Sequence, residues 1–294
     1  MSWILFSILA AVTWAIVNTV DKYILTKLTK NPYVVTITLG VIGAIVSLFV
    51  YFINGFSELS NFNIFLAAIA GLFYILMNIC YIKAVQLEEV SRIVPLFFLS
   101  PLFILLFAAL FLGEVFTPLK YLGIFLLVIG AILISFRRTA RFNSRKAIWF
   151  MIFAALFISI NQVITKHLLS FADFWTVFSY VRIGAVIAMI PVVYLNFSDL
   201  MATVKKHGKK VVGILTVNES LNVLGVIFVT FAVSTGYVTL VNALTSIQPF
   251  FVLLFAFVLS VFYPKILKEG VGKSAVMLKL IAIVLMFIGA LLIS

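Results

Sequence analysis

Residues 84–116, AVQLEEVSRIVPLFFLSPLFILLFAALFLGEVF, reappear as residues 232–264, AVSTGYVTLVNALTSIQPFFVLLFAFVLSVFYP. In this register Ala84 falls on Ala232, Pro101 on Pro249, and Leu105-Leu106-Phe107-Ala108 on Leu253-Leu254-Phe255-Ala256. After an insertion in the second copy, Lys120–Ser135 falls on Lys279–Ser294, with Ile129-Gly130-Ala131 on Ile288-Gly289-Ala290. The starts of the copies align more faintly, through Ala10/Ala154, Lys22/Lys166, Leu25/Leu169 and Gly40/Gly184. The chain thus reads as two units, 1–136 and 147–294, joined by a basic linker, 137–146.

Composition places both units in a membrane. With 65% apolar residues, 31 Phe and only 10% charged residues, the chain falls far below the roughly 25% charge of a soluble globule. Apolar runs lie at 3–20, 33–53, 63–82, 93–112, 118–135, 147–165, 174–196, 211–233, 238–262 and 276–293. Each is long enough, at roughly 18–25 residues, to cross a hydrocarbon core as a helix. The expected fold is an all-α integral membrane protein with ten transmembrane helices, five in each unit. The first run is not read as a cleavable signal, because no Lys or Arg precedes it and it belongs to the repeat.

The net charge of +12 is distributed as a topology signal. Lys and Arg collect in or beside the connections that follow the odd-numbered runs; Lys120, Lys166 and Arg182 fall elsewhere. The positive-inside rule then puts those connections, the linker included, in the cytoplasm and both termini outside. Within the first unit the cations follow its first and third helices, and within the second its second and fourth. The bias inverts with the repeat, which predicts two inverted-topology halves in a multi-pass plasma-membrane protein. The partners implied are the lipid bilayer and a small-molecule substrate, with no nucleic acid. A lone cysteine, Cys80, and two isolated histidines give no basis for a disulfide or a metal site, and no cofactor motif appears.

Intramembrane polar residues mark the candidate site. Glu219 lies within the eighth run, where a carboxylate is costly and usually functional; Asn218 and Asn222 extend its polar face. It can bind a substrate ammonium or carry a coupling proton, or it can be a structural acid paired with Arg182 of the seventh run. Helical spacing groups further residues into stripes: Trp14, Asn18 and Lys22; Tyr74, Asn78 and Tyr81; Asn161 and Thr165; and Asn242, Thr245, Ser246 and Pro249. Each stripe can line a cavity or join helices by hydrogen bonds. Arg182 can meet a substrate carboxylate or snorkel. Pro101 and Pro249, at matching points of the fourth and ninth helices, predict paired kinks that can act as hinges. Gly123 and Gly130 in the fifth run, with Ala282 and Gly289 in the tenth, offer small surfaces for close helix packing.

Trp14-Ala15 with Lys22 eight residues after the Trp, and Leu112-Gly113-Glu114 leading to Gly123 and Gly130, carry a family resemblance. Over essentially its whole length the chain resembles the ten-helix EamA branch of the drug/metabolite transporter superfamily. The second unit departs from that pattern, with Ile158 in place of the Trp and Ser260-Val261-Phe262 in place of Leu-Gly-Glu. The resemblance implies a central cavity lined mainly by helices 1, 3, 4, 6, 8 and 9, and substrates such as amino acids and other small metabolites, usually moved outward. The expected function is a non-enzymatic secondary transporter, an exporter of amino acids or related metabolites working by alternating access. A lipid-linked-precursor flippase and a nontransporting membrane receptor or scaffold are the alternatives. Monomer and homodimer both remain open.

Overall fold

A computed structural model describes residues 2–29, 31, 33–88, 90–135, 144–262 and 273–294. Most of the basic linker (137–143) and the core of the inserted stretch (263–272) lie outside the described residues, as does the side chain of Lys22. Among the described residues every regular element is a helix. They are α1 (Ser2–Lys27), α2 (Tyr33–Asn54), α3 (Asn61–Leu87), α4 (Val90–Phe97), α5 (Ser100–Phe111), α6 (Pro118–Ser135), α7 (Arg145–Leu168), α8 (Phe174–Thr235), α9 (Val238–Thr245), α10 (Gln248–Phe262) and α11 (Lys273–Ile293). Eight stretches among the described residues are long and apolar enough to cross a membrane.

Helix starts follow local chemistry. Ser60 and Ser144 accept the backbone N–H of Asn63 and Ala147 at the heads of α3 and α7, and Asp173 accepts those of Trp175 and Thr176 at the head of α8. Each satisfies a first-turn donor that the helix itself cannot. Pro118 opens α6, where its missing N–H costs nothing.

Two expected helices are interrupted. The run 93–112 is divided between α4 and α5, and the run 238–262 between α9 and α10. Pro101 and Pro249 stand just after the breaks, where each lacks an N–H and collides with the carbonyl four residues earlier. Both breaks carry the same three-residue hydrogen bonds. Phe98, Leu99 and Leu102 donate to Pro95, Leu96 and Leu99; Ser246, Ile247 and Phe250 donate to Ala243, Leu244 and Ile247. The two sets coincide in the register that places Pro101 on Pro249.

The long connection expected between the seventh and eighth runs, Asn196–Lys210, is largely helical: one helix runs from Phe174 to the kink at Gly208, which has φ 63° and ψ −152°, and a second follows to Thr235. Residues 197–207 hold no Gly or Pro and several good helix formers, so the helix runs past the end of the apolar stretch. Gly208 then supplies a left-handed turn that a side chain would resist. We call 174–207 the first arm of α8 and 209–235 the second.

The first arm packs against α2 and α3, and the second against α1. Gly71 of α3 makes the closest approach to backbone, since a Cβ there would sit 2.2 Å from the backbone N of Ala185. Trp14 of α1 lies against Gly225 of the second arm, where a Cβ would sit 2.6 Å from its Nε1. α3 also packs on α7, and α6 on α11. In the last pair the small residues meet each other: a Cβ at Gly123 would lie 2.9 Å from the Gly289 carbonyl, and one at Gly130 2.9 Å from that of Ala282. These approaches bring the broken helices and α1, α3, α7 and α8 around one central space.

Candidate functional site

The central space is a cavity of about 250 Å³. Trp14 and Asn18 reach it from α1, Tyr74, Asn78 and Tyr81 from α3, Asn161 from α7, Arg182 and Asn222 from the two arms of α8, and Asn242 and Thr245 from α9, with Ser246 just beyond. The 3.6-residue period puts each stripe on one face, and the close glycine contacts turn those faces inward. Both helix breaks lie in the wall, through Phe97, Phe98 and Ser100 in one and Thr245, Ser246 and Gln248 in the other. Irregular backbone at membrane depth is tolerated where it lines such a space.

Glu219 and Asn218 are not in the wall. Glu219 is fully buried behind it, and both its oxygens accept from amides: Asn218 Nδ2 at 2.9 Å and Asn222 Nδ2 at 3.1 Å. Asn222 in turn accepts from Trp14 Nε1 at 3.2 Å. Asn218 Nδ2 also donates to Asp21 Oδ1 at 2.7 Å. The result is a chain of hydrogen bonds from Trp14 through Asn222, Glu219 and Asn218 to Asp21, which does line the cavity. The pairing of Glu219 with Arg182 weighed from sequence is absent. Arg182 instead lays its guanidinium over the Tyr74 ring, 4.2 Å from the centroid, and 5.8 Å from that of Phe178.

Sequence reading missed Asp21, along with Gln162, Thr230 and Gln248, which also line the cavity. The signal for Asp21 was present. It lies seven residues after Trp14 and three after Asn18, a better continuation of that face than Lys22. Several amides and hydroxyls named as candidates also brace the wall. Asn161 donates to the Ala70 carbonyl of α3 at 2.8 Å, while Asn78, Asn242, Thr245 and Ser246 each donate to a carbonyl within their own helix.

At one end of this assembly the buried Glu114 and the half-buried Lys166 seal the joint between α8 and α9. Glu114 accepts the backbone N–H of Val238 at 2.8 Å and of Thr239 at 3.1 Å, while Lys166 donates to the carbonyls of Val233 and Gly236 at 2.8 Å each. A carboxylate at a helix start and an ammonium at a helix end both answer the helix dipole. Lys166 thus caps the end of α8. Beyond the membrane-spanning part, burial pushes the Asp173 carboxyl up, but hydrogen bonds from Ser57, Thr176 and Trp175 outweigh it and hold the group below its ordinary value of 3.8.

Residues 1–136 match the model of the EamA-like transporter family. No curated protein matches the chain. A solved crystal structure of a protein shares the fold, with a TM-score of 0.69 at 18% identity, covering 99% of this chain and 96% of its own. The first interrupted helix and the Leu112-Gly113-Glu114 turn thus lie within the stretch of this multi-pass membrane protein, residues 1–136, that is similar to the EamA-like transporter family.

Proposed function

We propose that the chain is a secondary transporter that exports amino acids or related small polar metabolites by alternating access through the central cavity. The observation that carries this reading is the pair of helix breaks, equivalent in the two halves and both facing the same cavity. Discontinuous helices at the interface of two repeats form the midplane substrate sites of many transporters. Matching hydrogen bonds around Pro101 and Pro249 support treating 1–136 and 147–294 as inverted repeats with the two prolines as hinges. At 1.5 Å per residue, the two arms of α8 are roughly 50 Å and 40 Å long, each enough to cross a bilayer once on either side of the turn at Gly208. Counting it so, and counting each broken helix and α11 once, gives ten crossings.

In this reading both termini are outside and the linker 137–146 is cytoplasmic, in a plasma-membrane protein active as a monomer or homodimer, with Glu219 a candidate for a coupling proton. A cavity of about 250 Å³ is smaller than the roughly 300–1,000 Å³ of drug-sized sites, which suits a metabolite better than a lipid-linked precursor. Purified protein in liposomes, preloaded with unlabelled amino acids, tests the proposal. Labelled amino acid should accumulate by exchange, and absence of exchange across the full set of amino acids would refute it.

A further inference from the structure

The cavity carries opposite charges at separate places. Arg182 is only 5% exposed, and its Nε is buried with no hydrogen-bond partner. Stacking on Tyr74 and Phe178 answers its charge in part. It leaves unanswered the five N–H donors of a guanidinium fork, whose shape matches a carboxylate. Among the described residues no carboxylate reaches it. An unpaired guanidinium this deep in a membrane protein is costly and calls for a partner. The cavity, which Arg182 lines, is where that partner can enter.

Asp21 supplies the other pole. It lines the same cavity from α1, and one of its oxygens is held by Asn218. Arg182, resting on the Tyr74 ring of α3, lines that cavity from the first arm of α8. Both poles therefore face one space of about 250 Å³, which has room for a short ligand.

We infer that the cavity binds a short dipolar ion, its carboxylate on the Arg182 fork and its cationic nitrogen on Asp21. Glu219 is then a positioning residue. It is fully buried with both oxygens engaged, and it acts on the ligand through Asn218, which it shares with Asp21, and through Asn222. This deepens the transport reading and rests on it only in taking the bound ligand to be the transported one.

The test uses the purified full chain in detergent and three sets of probes: free amino acids including 4-aminobutyrate, their methyl esters, and their N-acetyl derivatives. Free amino acids that bind should raise the melting temperature, and the matched ester and N-acetyl compound should not. Arg182→Met and Asp21→Asn should each weaken that binding by roughly thirtyfold or more. Arg182→Met should also lose the preference for acid over ester, and Asp21→Asn the preference for free over acetylated amine. Should either variant fail to fold, the probe comparison on the unaltered chain still decides. An ester or N-acetyl compound that stabilises as well as its parent overturns the inference, as does the absence of stabilisation by every free amino acid. Uptake into liposomes of a compound bearing a single charge would overturn it while leaving the transport reading intact. Charge-selective binding without uptake would do the reverse.

Discussion

Glu219 meets two amide donors and no cation, which changes what its substitution should do. Glu219→Gln replaces one acceptor oxygen with a second donor facing Asn218 or Asn222, so the network from Trp14 to Asp21 must rearrange. The fold should survive and liposome exchange should fall severely. Because Arg182 does not contact Glu219, Arg182→Met should not restore stability to Glu219→Gln. In thermal unfolding without ligand the two changes should add within about 0.5 kcal/mol, as for separate sites. Asp21→Asn and Glu219→Gln, linked through Asn218, should instead couple by about 0.5–3 kcal/mol. The polar stripes of α1, α3 and α9 were legible in sequence because helical period alone sets which residues share a face. Whether a residue lies in the wall or one layer behind depends on packing. That is why Glu219 looked like a contact residue and Asp21 went unnoticed beside Lys22.

The joints between helices depend on caps that local sequence only partly discloses. Glu114 belongs to a turn readable as Leu-Gly-Glu, yet its partners lie across the molecule, at the start of α9. Its counterpart in the repeat register is Phe262, so the repeat does not keep this carboxylate. Glu114→Ala leaves two buried N–H groups without acceptors and should lower stability by about 1–3 kcal/mol, read as a fall in melting temperature. Glu114→Gln, which keeps one acceptor, should lose less. At the head of α8, Asp173→Ala should cost about 1 kcal/mol through the lost cap. The Asp173 carboxyl is held below its ordinary 3.8 when folded, so its contribution is complete above that pH and disappears as pH falls through the lower folded value. Melting temperature measured against pH should therefore drop on the acid side in the unaltered chain and less steeply in Asp173→Asn. The continuity of α8 through 197–207 escaped sequence reading for a related reason: hydropathy marks where a helix leaves the membrane, not where it stops.

At the scale of the whole molecule, the two halves meet as like with like. α6 packs on α11, and the two helix breaks share one cavity, an arrangement expected when two inverted units rock about a common site. The charge bias adds an orientation. With Cys80 replaced by Ser, single cysteines placed in the linker should resist an impermeant maleimide in intact cells, and cysteines at the chain termini should react. Labelled linker cysteines would reverse the topology. The repeat register was drawn from Pro101/Pro249 and the matched apolar runs, and the two helix breaks fall in that register. The cavity was less readable, because it depends on glycine contacts such as Gly71 with Ala185 that bring distant segments together. Alternating access is the central claim, and the most direct test is Asn78→Cys in the Cys80→Ser background, since residue 78 lies in the cavity wall. An impermeant maleimide should label it both in intact cells and in inverted vesicles, and a bound amino acid should slow both reactions. Labelling from one side only, under every condition, would contradict the account.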